Sequence, residues 1–168
     1  MLDHVDEQDV DVRPARRALP SDAAELVRLR ALMFDAMGID TAGEGWRASA
    51  ELHLQKVLAE GEVVAAVVDA PGGGLAAAGV IEFQERIPSP GNPSGRGAYV
   101  SNMSTDVLWR RRGFARAVLA ELMGEARRRG VHRVELHAME DGMGLYRSVG
   151  FVPRSGGGAE MRLARPAS

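Results

Sequence analysis

Arg110, Arg111 and Arg112 stand directly before Gly113, Phe114 and Ala115, where an amphipathic segment begins. Positive charge at the start of a helix works against the macrodipole, which favours anions there. An anionic ligand resolves the conflict. The first turn leaves N–H groups without intrahelical partners, small residues let the backbone approach a ligand closely, and guanidinium groups add charge-assisted hydrogen bonds. A pyrophosphate fits this chemistry. The bland alternative is a solvated helix end, which is how an isolated basic triplet reads. The glycine triplet of the dinucleotide fingerprint and the Gly-Lys-Ser/Thr of the phosphate loop of nucleotide hydrolases both differ from this stretch.

The apolar pattern supplies the elements that must position this turn. "VDVRPARRAL" has the alternation of a first strand, and Ser21 or Asp22 caps a helix whose Leu26, Leu29, Met33 and Met37 share one face before Gly38. A second helix runs from about Glu44 to Glu60. "EVVAAVVD" and "LAAAGVIEFQER", joined by "APGGG", read as two strands so apolar that both faces of their sheet must be covered. A proline- and glycine-rich loop leads to the strand "AYVSNMST". Residues 113 to 129 then form a helix closed by Gly130. "HRVELHAM" is a further strand, "GMGLYRSVGF" a short helix, and "GFVPR" with "AEMRLAR" a last pair of strands. The order is strand, two helices, three strands, helix, strand, helix, two strands: an α/β (α+β) arrangement with helices on a mixed sheet.

At 168 residues the chain has the length of one domain. Residues 1 to 9, rich in Asp and Glu, are expected to be a flexible acidic N-terminus, and residues 10 to 168 a single domain. The absence of cysteine excludes disulfides, thiolate metal sites and a cysteine nucleophile. No apolar run is long enough to span a bilayer, and the first residues do not resemble a signal peptide, so a cytoplasmic location is expected. A net charge of −2 argues against nucleic-acid and membrane partners.

The stretch "RRRGFA" resembles the acetyl-coenzyme A motif of the GCN5-related N-acetyltransferases (GNAT), Arg/Gln-x-x-Gly-x-Gly/Ala, with Arg110, Gly113 and Ala115 at its fixed positions. "LYRSVGF", with Tyr146, Gly150 and Phe151, is similar to a second feature of that family, and the element order matches from about Val10 to Arg165. The resemblance implies a mostly antiparallel sheet of about six to seven strands with helices on both faces. It also implies a V-shaped splay between the fourth and fifth strands, near 100–105 and 134–138, into which the pantetheine arm enters like an added strand.

On these residues the resemblance implies that backbone groups near Met103 and Thr105 hold the arm. Arg110, Arg111, Arg112, Gly113, Phe114 and Ala115 would hold the pyrophosphate, and a strand N–H would polarise the thioester carbonyl. Tyr146 would protonate the departing thiolate; the alternative is a core tyrosine with a local hydrogen bond. The base that deprotonates the amine has several candidates: Glu82 at the polar end of one central strand, and His137 or Glu135 on another. An imidazole ordinarily titrates nearer neutrality than a carboxylate. Asn102 would orient the amine or a water. The family's acceptor pocket is closed by the first two helices and their connection, which nominates Met33, with Trp46 as an apolar or cation–π wall and Asp35, Asp40 and Glu44 as attractors of a cationic amine. Two departures stand out: Val107 replaces a frequent proline, and "AMEDGMG" replaces a frequent asparagine ahead of "LY".

The resemblance therefore implies an enzyme that transfers acetyl from acetyl-CoA, as acyl donor, to a primary amine of a small molecule or peptide by direct attack, without a metal. A non-catalytic acyl-CoA-binding or regulatory module is the alternative. Strand edges near residues 151 to 164 are compatible with a homodimer.

Overall fold

Apolar runs that bury both sides of a strand need helices above and below the sheet, and the computed structural model, which describes residues 13–43 and 45–154, places them there. Five strands lie side by side in chain order: β1 (Arg16–Arg17), β2 (Val63–Asp69), β3 (Leu75–Glu85), β4 (Arg96–Thr105) and β5 (Val134–Leu136). The first four pair antiparallel, and β5 runs parallel to β4.

Alternation along β2 and β3 sorts their side chains into two cores. Ala65, Val67, Ala78 and Val80 join Leu26 and Leu29 of α1 (Ala23–Ala36), with Leu54 and Leu58 of α2 (Trp46–Glu60) packed against them. The opposite face carries α3 (Phe114–Arg128), whose Val118, Leu119 and Leu122 are fully buried. Gly79 of β3 allows this approach: a Cβ there would lie 2.3 Å from the Met103 sulfur and 2.9 Å from Val118 Cγ1.

The edges of the fold differ from the sequence reading. The expected first strand pairs only through Arg16 and Arg17, because Pro14 has no N–H for a ladder. The Asp22 carboxylate, rather than capping α1, accepts from the Leu19 N–H at 2.7 Å and from Arg16 at 2.8 Å. The strand expected over 132–139 is confined to Val134–Leu136. Residues 151–154 form no strand, so five strands, not six or seven, stand among the described residues. The segment "AEMRLAR", Glu44 and the acidic residues 1–9 lie outside the described residues.

The chain divides into two compact units after His137. In the second, a 3-10 turn (Glu140–Gly142) leads into α4 (Met143–Ser148). The Phe151 N–H donates to the Tyr146 carbonyl at 3.0 Å, and the two rings meet edge to face at 6.0 Å.

Candidate functional site

The basic turn is built from the end of β4. One Asp106 oxygen accepts from the Leu108 N–H at 3.1 Å, starting a 3-10 turn over Val107–Trp109, and the other accepts from Arg28 of α1 at 2.7 Å. The Arg28 guanidinium holds the Asp106 carboxyl below the usual carboxylate range, so it is charged at neutral pH. Arg111 (φ +61°) and Gly113 (φ +78°) are left-handed while Arg112 between them is not, an alternation that turns successive N–H groups into one concavity. Among the described residues, the N–H groups of residues 111 to 115 donate to no acceptor; the first helical bond runs from the Ala117 N–H to the Gly113 carbonyl at 3.0 Å. Buried Phe114 anchors the turn, and the space beside Gly113 is open. Arg112 lies over the Trp109 ring at 4.9 Å, and Arg110 makes a long contact to the Thr105 carbonyl at 3.4 Å.

The strand that leads into this turn changes phase. Before the irregularity, the Ala98 N–H donates to the Arg133 carbonyl at the β5 edge, so even-numbered residues face β5. The pairing with β3 then shifts between Ala78 and Val80, opposite Ser104 and Ser101, and Asn102 takes φ +53°. Beyond it the Asp106 N–H donates to the Ala76 carbonyl, so even-numbered residues now face β3. One inserted residue thus turns the backbone groups of Met103 and Thr105 toward the β5 side. The ladder with β5 ends at Val100 and Leu136, so β4 runs on to Thr105 without a strand partner on that side among the described residues.

A cavity of about 230 Å³ opens on the α1 and α2 face of the same strands. Its apolar wall includes Leu26, Leu54, Val57 and Val80, and its polar groups are Arg30, His53, Glu82 and Asn102. Arg30 Nη1 donates to the Asn102 side-chain oxygen, the Asn102 amide donates to Ser101 Oγ at 3.1 Å, and the guanidinium lies 4.6 Å from the Phe34 ring centroid.

Of the residues nominated from sequence, the cavity brings together Glu82 and Asn102, and the turn brings together 110 to 115. Met33 and Trp46 are not among the cavity-lining residues. Trp46 instead donates from Nε1 to the Thr41 carbonyl at 3.2 Å and packs on Phe34 at 5.9 Å, fastening the α1–α2 connection. Asp35 accepts from Thr41 and Asp40 from the Ala42 N–H within that connection. His137 is exposed just beyond β5 and does not line the cavity. Glu135 pairs with Arg133 at 2.9 Å and Arg86 at 3.2 Å. In the second unit, burial pushes the Tyr146 phenol above its ordinary value, so it stays protonated at neutral pH.

Sequence reasoning passed over Arg30 and His53. Both interrupt apolar stripes: Arg30 is four residues after Leu26, and His53 is four before Val57. A polar residue on a core-facing stripe is the signal that was there to read. Among the described residues no cluster of metal-ligating side chains occurs, and no helix is long and apolar enough to cross a membrane.

The family model described as "Acetyltransferase (GNAT) family" matches residues 26–151. Among solved structures, a predicted acetyltransferase from Clostridium acetobutylicum, determined with acetyl-CoA, superposes with a TM-score of 0.78 at 25% identity, over 90% of this chain and 96% of that one. A GCN5-related N-acetyltransferase from Ralstonia eutropha JMP134 gives a TM-score of 0.73 at 26% identity, over 88% and 97%. Glucosamine-6-phosphate N-acetyltransferase from Arabidopsis thaliana, at 16% identity and a TM-score of 0.70 over 90% and 99%, shares the fold. A search of curated proteins finds no significant match.

Proposed function

Because the chain belongs to the GNAT acetyltransferase family, we propose that it is an N-acetyltransferase that moves an acetyl group from acetyl-CoA to a small-molecule amine by direct attack. The observation that carries this reading is the set of undonated N–H groups at residues 111 to 115, directly downstream of a strand edge left unpaired at Met103 and Thr105. The former suits a pyrophosphate and the latter an extended amide-bearing arm. The Clostridium relative determined with acetyl-CoA supports the same donor.

In this mechanism acetyl-CoA supplies the acetyl group as a thioester. The N–H groups of residues 111 to 115, with Arg110, Arg111 and Arg112, bind the pyrophosphate. Gly113 and Ala115 keep the backbone accessible, and buried Phe114 fixes it. Met103 and Thr105 pair with the pantetheine arm in a splay between β4 and β5. An N–H next to the Asn102 bulge donates to the carbonyl oxygen as negative charge develops on it, where a preoriented dipole is most effective. The amine occupies the cavity beside Asn102. A protonated amine cannot attack, so Glu82 takes its proton, directly or through a water. By the resemblance of "LYRSVGF" to the family feature, Tyr146 is the group assigned to return a proton to the leaving thiolate. The attack forms the C–N bond as the C–S bond breaks, the nitrogen then releases its second proton to solvent, which restores the phenol, and no enzyme nucleophile intervenes.

Titration with acetyl-CoA, followed by a thiol-release screen against small amines, tests the proposal. Micromolar binding and amine-dependent thiol release are expected. No binding of acetyl-CoA at high micromolar concentration would overturn it.

A further inference from the structure

The charged groups of the acceptor cavity are unbalanced where two other part-buried arginines are matched. On α1, Arg28 is held by Glu25 at 2.9 Å and Asp106 at 2.7 Å, and on β1, Arg16 is held by Asp22 at 2.8 Å and Asp69 at 2.7 Å. Arg30, two residues on from Arg28 and on a different side of α1, has no ion pair among the described residues; its protein contacts are one neutral amide oxygen and an aromatic ring. Its remaining N–H groups have no acceptor among the described residues. Burial lowers its pKa, and Glu82 is the charge that opposes this. Yet Arg30 and Glu82 are too far apart for an ion pair, and the Glu82 carboxylate has no hydrogen bond or ion pair among the described residues. The half-buried guanidinium is thus one half of an ion pair whose other half is missing, and across an apolar-walled gap it faces a solvent-reached carboxylate that is free to take a cation at the cavity mouth.

We infer that the acceptor is a small amine that also carries a carboxylate, with its ammonium at Glu82, its carboxylate on the Arg30 fork and an apolar body against Leu54, Val57 and Val80. The planar guanidinium matches a carboxylate through two parallel hydrogen bonds, which an ammonium or a neutral amide cannot supply. The cavity volume of about 230 Å³ lies below the roughly 300–1,000 Å³ of sites for drug-sized ligands. That suits a free amino acid better than a peptide, whose N-terminal residue has an amide where the carboxylate would be. The inference rests on the acetyltransferase reading, since it names the acceptor of that same site.

The test is thiol release from acetyl-CoA by the full chain with free leucine, methionine and phenylalanine, against leucinamide, methioninamide, phenylalaninamide and phenethylamine. The free amino acids are expected to lead in kcat/KM by roughly 10- to 100-fold, the range for losing a hydrogen-bonded contact to a charged group. Arg30→Gln is expected to erase that lead while leaving the Kd for acetyl-CoA unchanged, and Arg30→Lys to keep part of it. The inference is overturned if the amides match the acids, if Arg30→Gln lowers both classes equally, or if the acids release no thiol although acetyl-CoA binds. Failure of acetyl-CoA itself to bind is a different result, and it removes the acetyltransferase reading along with the inference.

Discussion

Replacing Gly113 by Glu and, separately, by Gln isolates the anion-binding role of the turn from its conformation. Both substitutions put a side chain at φ +78°, where an L residue costs about 1–2 kcal/mol of folding stability. That cost is common to the pair. Neither meets a steric barrier, because no atom lies within 4 Å of the position a Cβ would occupy. What differs is one negative charge. With a pyrophosphate carrying two charges about 6 Å away at an effective dielectric constant of about 40–80, the repulsion is roughly 1.4–2.8 kcal/mol, about 10- to 100-fold in Kd. Calorimetric titration with acetyl-CoA at low salt reads this difference directly. In about 1 M salt the Debye length falls to about 3 Å and the gap between the variants should narrow to a few-fold. Equal Kd values for the two folded variants at low salt would refute the placement of the pyrophosphate at this helix start.

Tyr146→Phe is expected to lower kcat about 100-fold, the lower part of the range for general acid catalysis, with the Kd for acetyl-CoA unchanged; an unchanged kcat in pre-steady-state thiol release would remove the phenol from the mechanism. Gly79→Ala should destabilise the protein by about 1–3 kcal/mol, because the added methyl is driven against Met103 and Val118; an unshifted urea midpoint would contradict that packing. The Asp22 and Asp69 carboxyls are depressed chiefly by their hydrogen bonds with Arg16. Their stabilisation is therefore complete above the ordinary carboxylate pKa near 4 and is lost as pH falls through the lower folded values. Arg16→Leu should weaken the protein at neutral pH and flatten its loss of stability below about pH 4, as followed by urea titration; an acid limb as steep as that of the wild type would rule out this linkage.

The parts of the fold legible in the sequence were those whose pattern is set by their own burial. β2 and β3 are apolar on both faces because helices cover both, and α3 shows helical spacing because one stripe of it meets the sheet. β1 and β5 were misjudged in length for the opposite reason. A two- or three-residue strand is defined by where its neighbour stops offering hydrogen bonds, and Arg16–Arg17 and Val134–Leu136 have no pattern of their own that marks their ends. The same distinction holds at the candidate site. The 110–115 turn could be read because glycine and unpaired helix-start amides are local properties. The cavity could not, because it is made where α1, α2 and β3 converge. Trp46 looked like a pocket wall, yet its indole is spent on Thr41 and Phe34; Arg30 was passed over, yet it faces the cavity.

Asn102 connects these two kinds of feature. Left-handed backbone is tolerated by asparagine better than by most side chains, because its short amide can bond locally, and here the amide donates to Ser101 Oγ while its oxygen accepts from Arg30. The backbone of this one residue shifts the hydrogen-bonding phase of β4, which turns Met103 and Thr105 toward the unpaired edge. Its side chain, on the other face, fixes the guanidinium that borders the cavity. A valine at this position would keep a strand-like residue but oppose the left-handed turn and release Arg30 at once. The strand edge assigned to the donor and the charge assigned to the acceptor therefore meet in the conformation of Asn102, so a change at Asn102 acts on both, whereas a change at Arg30 leaves the strand edge in place.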